Sequence, residues 1–106
     1  MKVIALSSTD WESGPVVWAR GFIARLRGMK AFDPPVSVLL ETSLIHTVGI
    51  SRAITIVGLS EDLVVGEVRR VPPRSFVRLR GSRYVFELRD DLQPPPQGSR
   101  LGMSHV

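Results

Sequence analysis

The sequence predicts an α+β domain that is mainly β: a compact antiparallel sheet or small barrel of about seven strands with one short helix. Three observations carry this. Short apolar, β-branched runs recur between Gly, Pro, Ser and Asp punctuation, which is the pattern of strands and tight turns. Only residues 20–29 place apolar side chains at helical spacing. At 106 residues with 43% hydrophobic and 23% charged positions, the chain has the length and composition of one globular domain, which removes roughly two-thirds of its unfolded surface from water on folding. We read residues 1–101 as that single domain and residues 102–106 as a frayed tail.

Residues 2–6 are short, apolar and partly β-branched and read as a first strand, with residues 7–14 as a polar loop. Residues 16–18 resume the extended run behind Pro15, a residue that suits a strand's first position because no ladder donor is needed there. Over residues 20–29, Phe22, Ile23, Leu26 and Met29 recur at helical spacing with Arg20, Arg25 and Arg27 between them, and Gly28 can end the helix. Pro34-Pro35 closes this part with a turn.

The most apolar and β-branched stretch, residues 37–60, then supplies strands over 37–41, 44–50 and 53–60. The last of these forms a hairpin with residues 63–71 across Glu61-Asp62, and Pro72-Pro73 stops it. A final hairpin is expected from residues 75–80 and 83–88 around Gly81-Ser82, with Gly81 in the first central position of a type II′ turn. Its register would set Arg80 against Arg83 and Val77 against Phe86. Val77, Leu79, Tyr84, Phe86 and Leu88 would share an apolar face, and Arg78, Arg80, Arg83 and Glu87 the other, with Phe76 and Val85. Pro94-Pro95-Pro96 imposes an extended segment, after which residues 98–101 return as a short closing strand.

Composition excludes several chemistries. The chain has no cysteine, so disulfides, thiolate metal sites and cysteine nucleophiles are absent. Its two histidines, His46 and His105, are too few for a His-rich metal centre, and no cofactor motif, phosphate loop or nucleophile elbow occurs. The N-terminus has only four consecutive apolar residues before its serines, too few for a leader's apolar core or a membrane span, so a cytoplasmic location is expected and no membrane partner.

Charge is concentrated. The formal net charge is +4, yet residues 69–89 hold seven arginines against one carboxylate, Glu87. Arg78, Arg80 and Arg83, with Arg69, Arg70 and Arg74 nearby, are candidate anion-binding residues, because guanidinium forks grip phosphates and carboxylates. An acidic protein, a nucleic acid or another anionic ligand would be the partner; Phe76 on the same face could stack a base, but one aromatic is far less than the platform of a dedicated single-strand binder, and no nucleic-acid motif is present. The competing structural role is a solvated face that blunts sheet edges.

His46 is the chemical group of most interest. Leu44, His46, Val48 and Ile50 share one parity of their strand, so the imidazole is expected in a mostly apolar layer, bonded to a backbone carbonyl or a carboxylate. It is also a candidate acid, base or ligand-orienting group, the roles an imidazole commonly takes. Glu87 is the candidate partner, and His46, Thr47 and Glu87 together form a candidate ligand pocket. Thr47 cannot be a nucleophile for His46 in a regular strand, since adjacent residues point to opposite faces. No catalytic set is recognisable. A non-catalytic binding or accessory module is therefore the first reading, and a small-ligand or enzymatic pocket beside His46 the second.

Arg25-Leu26-Arg27-Gly28-Met29, the Leu-rich strand ending in Ile45-His46-Thr47, the hairpin at Glu61-Asp62 and Val85-Phe86-Glu87-Leu88 occur in an order and spacing that resemble the bacterial and archaeal family known as domain of unknown function 192. The resemblance spans about residues 16–101. It implies a compact, mostly antiparallel β domain with one short helix, and no assigned activity. Its members often have a cysteine where Thr42 stands, an aspartate where Thr55 stands and Ala-Gly where Arg89-Asp90 stands. Many relatives are also exported, unlike the location expected for this chain.

Overall fold

The computed structural model describes residues 2–19, 36–47 and 51–105. The expected helix over residues 20–29, the Pro34-Pro35 turn and residues 48–50 lie outside the described residues. Nine strands are described: β1 (Lys2–Ser8), β2 (Trp11–Ala19), β3 (Ser37–Leu40), β4 (Leu44–His46), β5 (Ile54–Leu59), β6 (Val65–Val71), β7 (Phe76–Arg78), β8 (Tyr84–Leu88) and β9 (Gly102–His105). Seven form one sheet in the order β6-β5-β8-β3-β2-β1-β9, and β4 and β7 form a second, two-stranded sheet. Pairing is antiparallel except between β2 and β3, which run parallel.

The expected polar loop over residues 7–14 is mostly strand. Ser7 pairs with Glu12 and Ser8 with Trp11 around Thr9-Asp10, and the register slips between Ala5 and Ser7. At that slip the Leu6 N–H donates to Ser13 Oγ at 2.8 Å, so the serine satisfies a buried donor that the ladder misses. Gly14, with φ 68°, supplies the left-handed backbone of the bulge. Pro15 therefore sits inside β2 at the irregularity, where its missing N–H costs no regular ladder bond.

The hairpin of β5 and β6 forms as the turn residues predict. Its turn is closed by Leu63 N–H to Ser60 O at 2.9 Å, Leu63 adopts φ 64°, and Ser60 Oγ accepts the Val64 N–H at 3.1 Å.

The second expected hairpin is overturned. β8 pairs with β5 on one side and β3 on the other, placing Phe86 opposite Val57 and Leu39 and Glu87 opposite Ile56 and Val38. β7 pairs instead with β4, Val77 facing Ile45. The turn itself exists, but Ser82 N–H donates to Leu79 O at 3.1 Å, so Gly81, with φ 81°, is its second central residue and not its first. That backbone does not fold β8 back onto β7; Arg83 N–H donates to Leu59 O, at 2.8 Å, and joins β8 to β5.

Burial explains the choice. Val85, Phe86, Glu87 and Leu88 are all buried, a pattern that fits a strand covered on both faces and not a half-solvated hairpin arm. Phe86 and Leu88 join Leu39, Val57, Leu59, Ile4 and Leu6 in one cluster, whereas Val85 joins Val38, Leu40, Ile54, Ile56 and Leu79 in another. The sheet centre thus separates two cores. The small sheet covers the second, because Ile45 belongs to it and Val77 packs against it.

The turn at residues 79–82 crosses directly over β5 at Gly58. A Cβ there would stand 2.2 Å from Ser82 Oγ and 3.2 Å from Leu79 Cδ1. Gly58→Ala is expected to cost about 1 to 2 kcal/mol, an overpacking penalty, read as a lower urea midpoint at unchanged m-value.

The tail is also corrected. Beyond the prolines, Val65 N–H donates to Ser99 O and Leu101 N–H to Leu63 O, Val64 bridges to Arg100, and Leu101 is buried in the first cluster. Residues 102–105 then form β9, with Ile4 opposite His105 and Ser7 opposite Gly102. Apolar anchoring by Leu101 and a vacant edge on β1 order a segment whose polar composition reads as frayed.

Candidate anion-binding site

Directly opposed residues of an antiparallel pair project to the same face. In the small sheet Leu44 opposes Arg78, Ile45 opposes Val77 and His46 opposes Phe76. Ile45 and Val77 take the inner face against the core. The outer face consequently carries Leu44, His46, Phe76 and Arg78, with Phe76 72% and Leu44 46% exposed. The parity assignment for this strand is reversed relative to the sequence expectation, since the imidazole points outward and Ile45 and Thr47 point in.

Two candidate sites that were separate in the sequence are thereby partly fused. The His46 and Phe76 rings lie with centroids 5.9 Å apart at 44°, beside Arg78. His46 is half-buried, and its Nδ1 is enclosed with no hydrogen-bond partner among the described residues. Thr47 is fully buried, and its hydroxyl is engaged twice: it donates to Pro72 O at 2.7 Å and accepts the Ser75 N–H at 2.8 Å. Thr47 N–H donates to Ser75 O and Thr47 O accepts the Arg74 N–H. These bonds clamp the turn in which Arg74 holds φ 59°, a left-handed conformation that a non-glycine residue keeps only when its surroundings enforce it.

Glu87 lies elsewhere. It is a buried, partnered carboxylate on β8 between Val38 and Ile56, on the sheet whose neighbours are β3 and β5. The register that set it diagonal to Arg78 is replaced by these pairings.

The described arginines divide into two groups. Arg52 pairs with Asp90 and Arg83 with Glu41, each at 2.6 Å, while Arg69 pairs with Glu67 and Arg89 with Asp91. Arg70 donates to Thr55 Oγ1 and Arg100 to Asp62 O. Arg74, Arg78 and Arg80 make no ion pair or side-chain hydrogen bond among the described residues, and all three are exposed. They fall on β7 and the turns that bound it, around Phe76. Of the three principal arginines named from the sequence, Arg78 and Arg80 are uncommitted among the described residues and Arg83 is held by Glu41, and of the three named as their neighbours only Arg74 is uncommitted. Arg74 completes the set, and Leu44 is the member that sequence reasoning missed; it could have been found only from the pairing of β4 with β7.

Elsewhere, the Arg89 guanidinium hydrogen-bonds Asp91 and holds its carboxyl below the ordinary carboxylate range. A polar cleft of about 490 Å³ is lined by Ser8, Thr9, Asp10, Pro96, Ser99 and Arg100, none of which is a candidate site residue. Among the described residues no cluster of three or more His, Asp or Glu side chains could hold a metal ion, and no helix is long and apolar enough to cross a membrane.

No family model matches the chain, and no curated protein matches it. Among solved structures, it is similar to the crystal structure of a "putative transcription regulator" from Sinorhizobium meliloti, with a TM-score of 0.69 at 16% sequence identity over 96% of this chain and 92% of that one. At that identity the likeness is one of fold.

Proposed function

We propose that the protein is a non-catalytic binding module that engages an anionic partner through the outer face of its small sheet. The observation that carries this reading is the division of the arginines. Among the described arginines, six are satisfied by carboxylates, a hydroxyl or a carbonyl within the fold, whereas the three without such partners there lie on β7 and the turns that bound it, Arg78 on the same face as the exposed Phe76 ring. Cations scattered for solubility have no reason to sort this way. Uncommitted guanidinium groups are also the ones able to form charge-assisted bonds to a ligand without first breaking an internal pair. The fold neighbour's description as a regulator of transcription is compatible with an anionic partner.

Retention on a heparin column tests this with charge held constant. The triple variant Arg74→Ala, Arg78→Ala, Arg80→Ala should elute at distinctly lower salt than the parent. A control that removes the same charge from the paired set, Arg69→Ala, Arg83→Ala, Arg89→Ala, should elute near the parent. Equal shifts in the two variants would mean that heparin senses only net charge, and the proposed face would be wrong.

A further inference from the structure

We infer that the partner of this face is single-stranded nucleic acid, with a base laid on Phe76 beside His46 and the flanking phosphates held by Arg74, Arg78 and Arg80; this rests on the anion-binding reading above. Among the described residues, three large hydrophobic side chains are exposed, Val3, Leu44 and Phe76, and two of them lie on this one small face. A purely ionic site has no use for an exposed ring. A ring 72% open to solvent with cations on both sides in sequence matches a ligand that alternates a flat π-surface with negative charge, which describes an unpaired nucleotide strand. Guanidinium groups next to such a ring contribute further, since they bond phosphate and stack on bases.

The same geometry disfavours two other polyanions. A duplex keeps its bases stacked and offers this face only phosphates, so Phe76 and Leu44 would meet nothing apolar. Two-stranded ribbons do read the major groove, which is about 12 Å wide, by projecting into it, but this one is fastened along its inner side through Ile45 and Val77 to the second core. An acidic peptide satisfies the charges and lacks the flat rings.

Fluorescence anisotropy with a labelled mixed-sequence DNA of about twelve nucleotides, within the site sizes of single-strand binders, tests the inference. The comparison ligands are the same sequence as a duplex and a labelled polyglutamate, at salt from about 50 to 200 mM. The single strand should bind more tightly than either comparison ligand. Phe76→Ala should weaken the single strand about tenfold, leave the salt slope unchanged and melt like the parent; Phe76→Trp should retain binding. The triple arginine variant should instead flatten the salt slope. If duplex or polyglutamate binds as well as the single strand, or if Phe76→Ala changes nothing, the single-strand inference fails while the anion-binding reading stands. If none of the three ligands binds at about 50 mM salt, both fail.

Discussion

Phe86→Ala is expected to lose about 3 to 5 kcal/mol of stability, the usual cost of emptying a buried phenylalanine site. Phe86 has no solvent exposure, stands between Leu39 and Val57 across its two neighbouring strands, and meets Trp11 in a perpendicular ring contact at 6.1 Å and 86°. Collapse around the hole is restricted, because the walls are the backbone-paired strands β3 and β5 and a tryptophan fixed by its Nε1–H bond to Gln93 O. Against a total stability of about 5 to 15 kcal/mol for a domain, such a loss leaves the folded state marginal. The same substitution at Phe76, on the open face, should change stability by no more than about 0.5 kcal/mol. Urea midpoints of the two variants decide the matter: similar midpoints would contradict the assignment of one ring to the core and the other to the surface.

Thr47→Val is expected to cost roughly 2 kcal/mol, although the side chains are nearly the same size, because burying an unpaired donor and acceptor is expensive. The hydroxyl serves Pro72 O and the Ser75 N–H together, and a methyl group serves neither. The effect should extend past stability. The clamped turn holds Arg74 in its left-handed conformation, so loosening it should also lower the salt at which the protein leaves heparin. Thr47→Ser keeps the hydroxyl and should preserve most of both properties. Full stability in Thr47→Val would show that the turn holds itself, and unchanged heparin elution would separate Arg74 from the site.

What could be read from the residues alone was set by locality. The β5/β6 hairpin is legible because its turn, Ser60 to Leu63, is encoded by adjacent polar residues and joins strands that are neighbours in the chain. β7 and β8 are also neighbours with a good turn between them, and the same inference fails there. Turn residues report a change of direction; they do not say whether a better partner waits elsewhere. For Val85-Phe86-Glu87-Leu88 that partner is the interior, where both faces can be covered by β3 and β5. Glu87 disguises this, since a charge in an apolar run imitates the alternation of a half-exposed strand. At the small sheet, Thr47 misleads in the opposite way: a polar residue reads as outward, yet its hydroxyl is satisfied by backbone groups inside. The surroundings of His46 depend on β7, thirty residues along, which no local pattern announces.

The pairing of β1 with β9 bears on how the molecule comes to exist. Ile4 meets His105 and Ser7 meets Gly102, so a strand made among the first residues waits for nearly the last before one of its edges is covered. β3 waits similarly for β8. A nascent chain emerging from the ribosome can close β1 onto β2 and β5 onto β6, both local hairpins, but the sheet's middle forms only after Leu88 has emerged and its edge only after His105. Assembly of this kind meets the entropy of long loop closures before the contacts reward it, which puts folding in the slow range typical of non-local β topologies. Until β8 has docked, the apolar edges of β3 and β5 are open to other chains, and it is in that interval, not in the finished fold, that the protein is most exposed to aggregation.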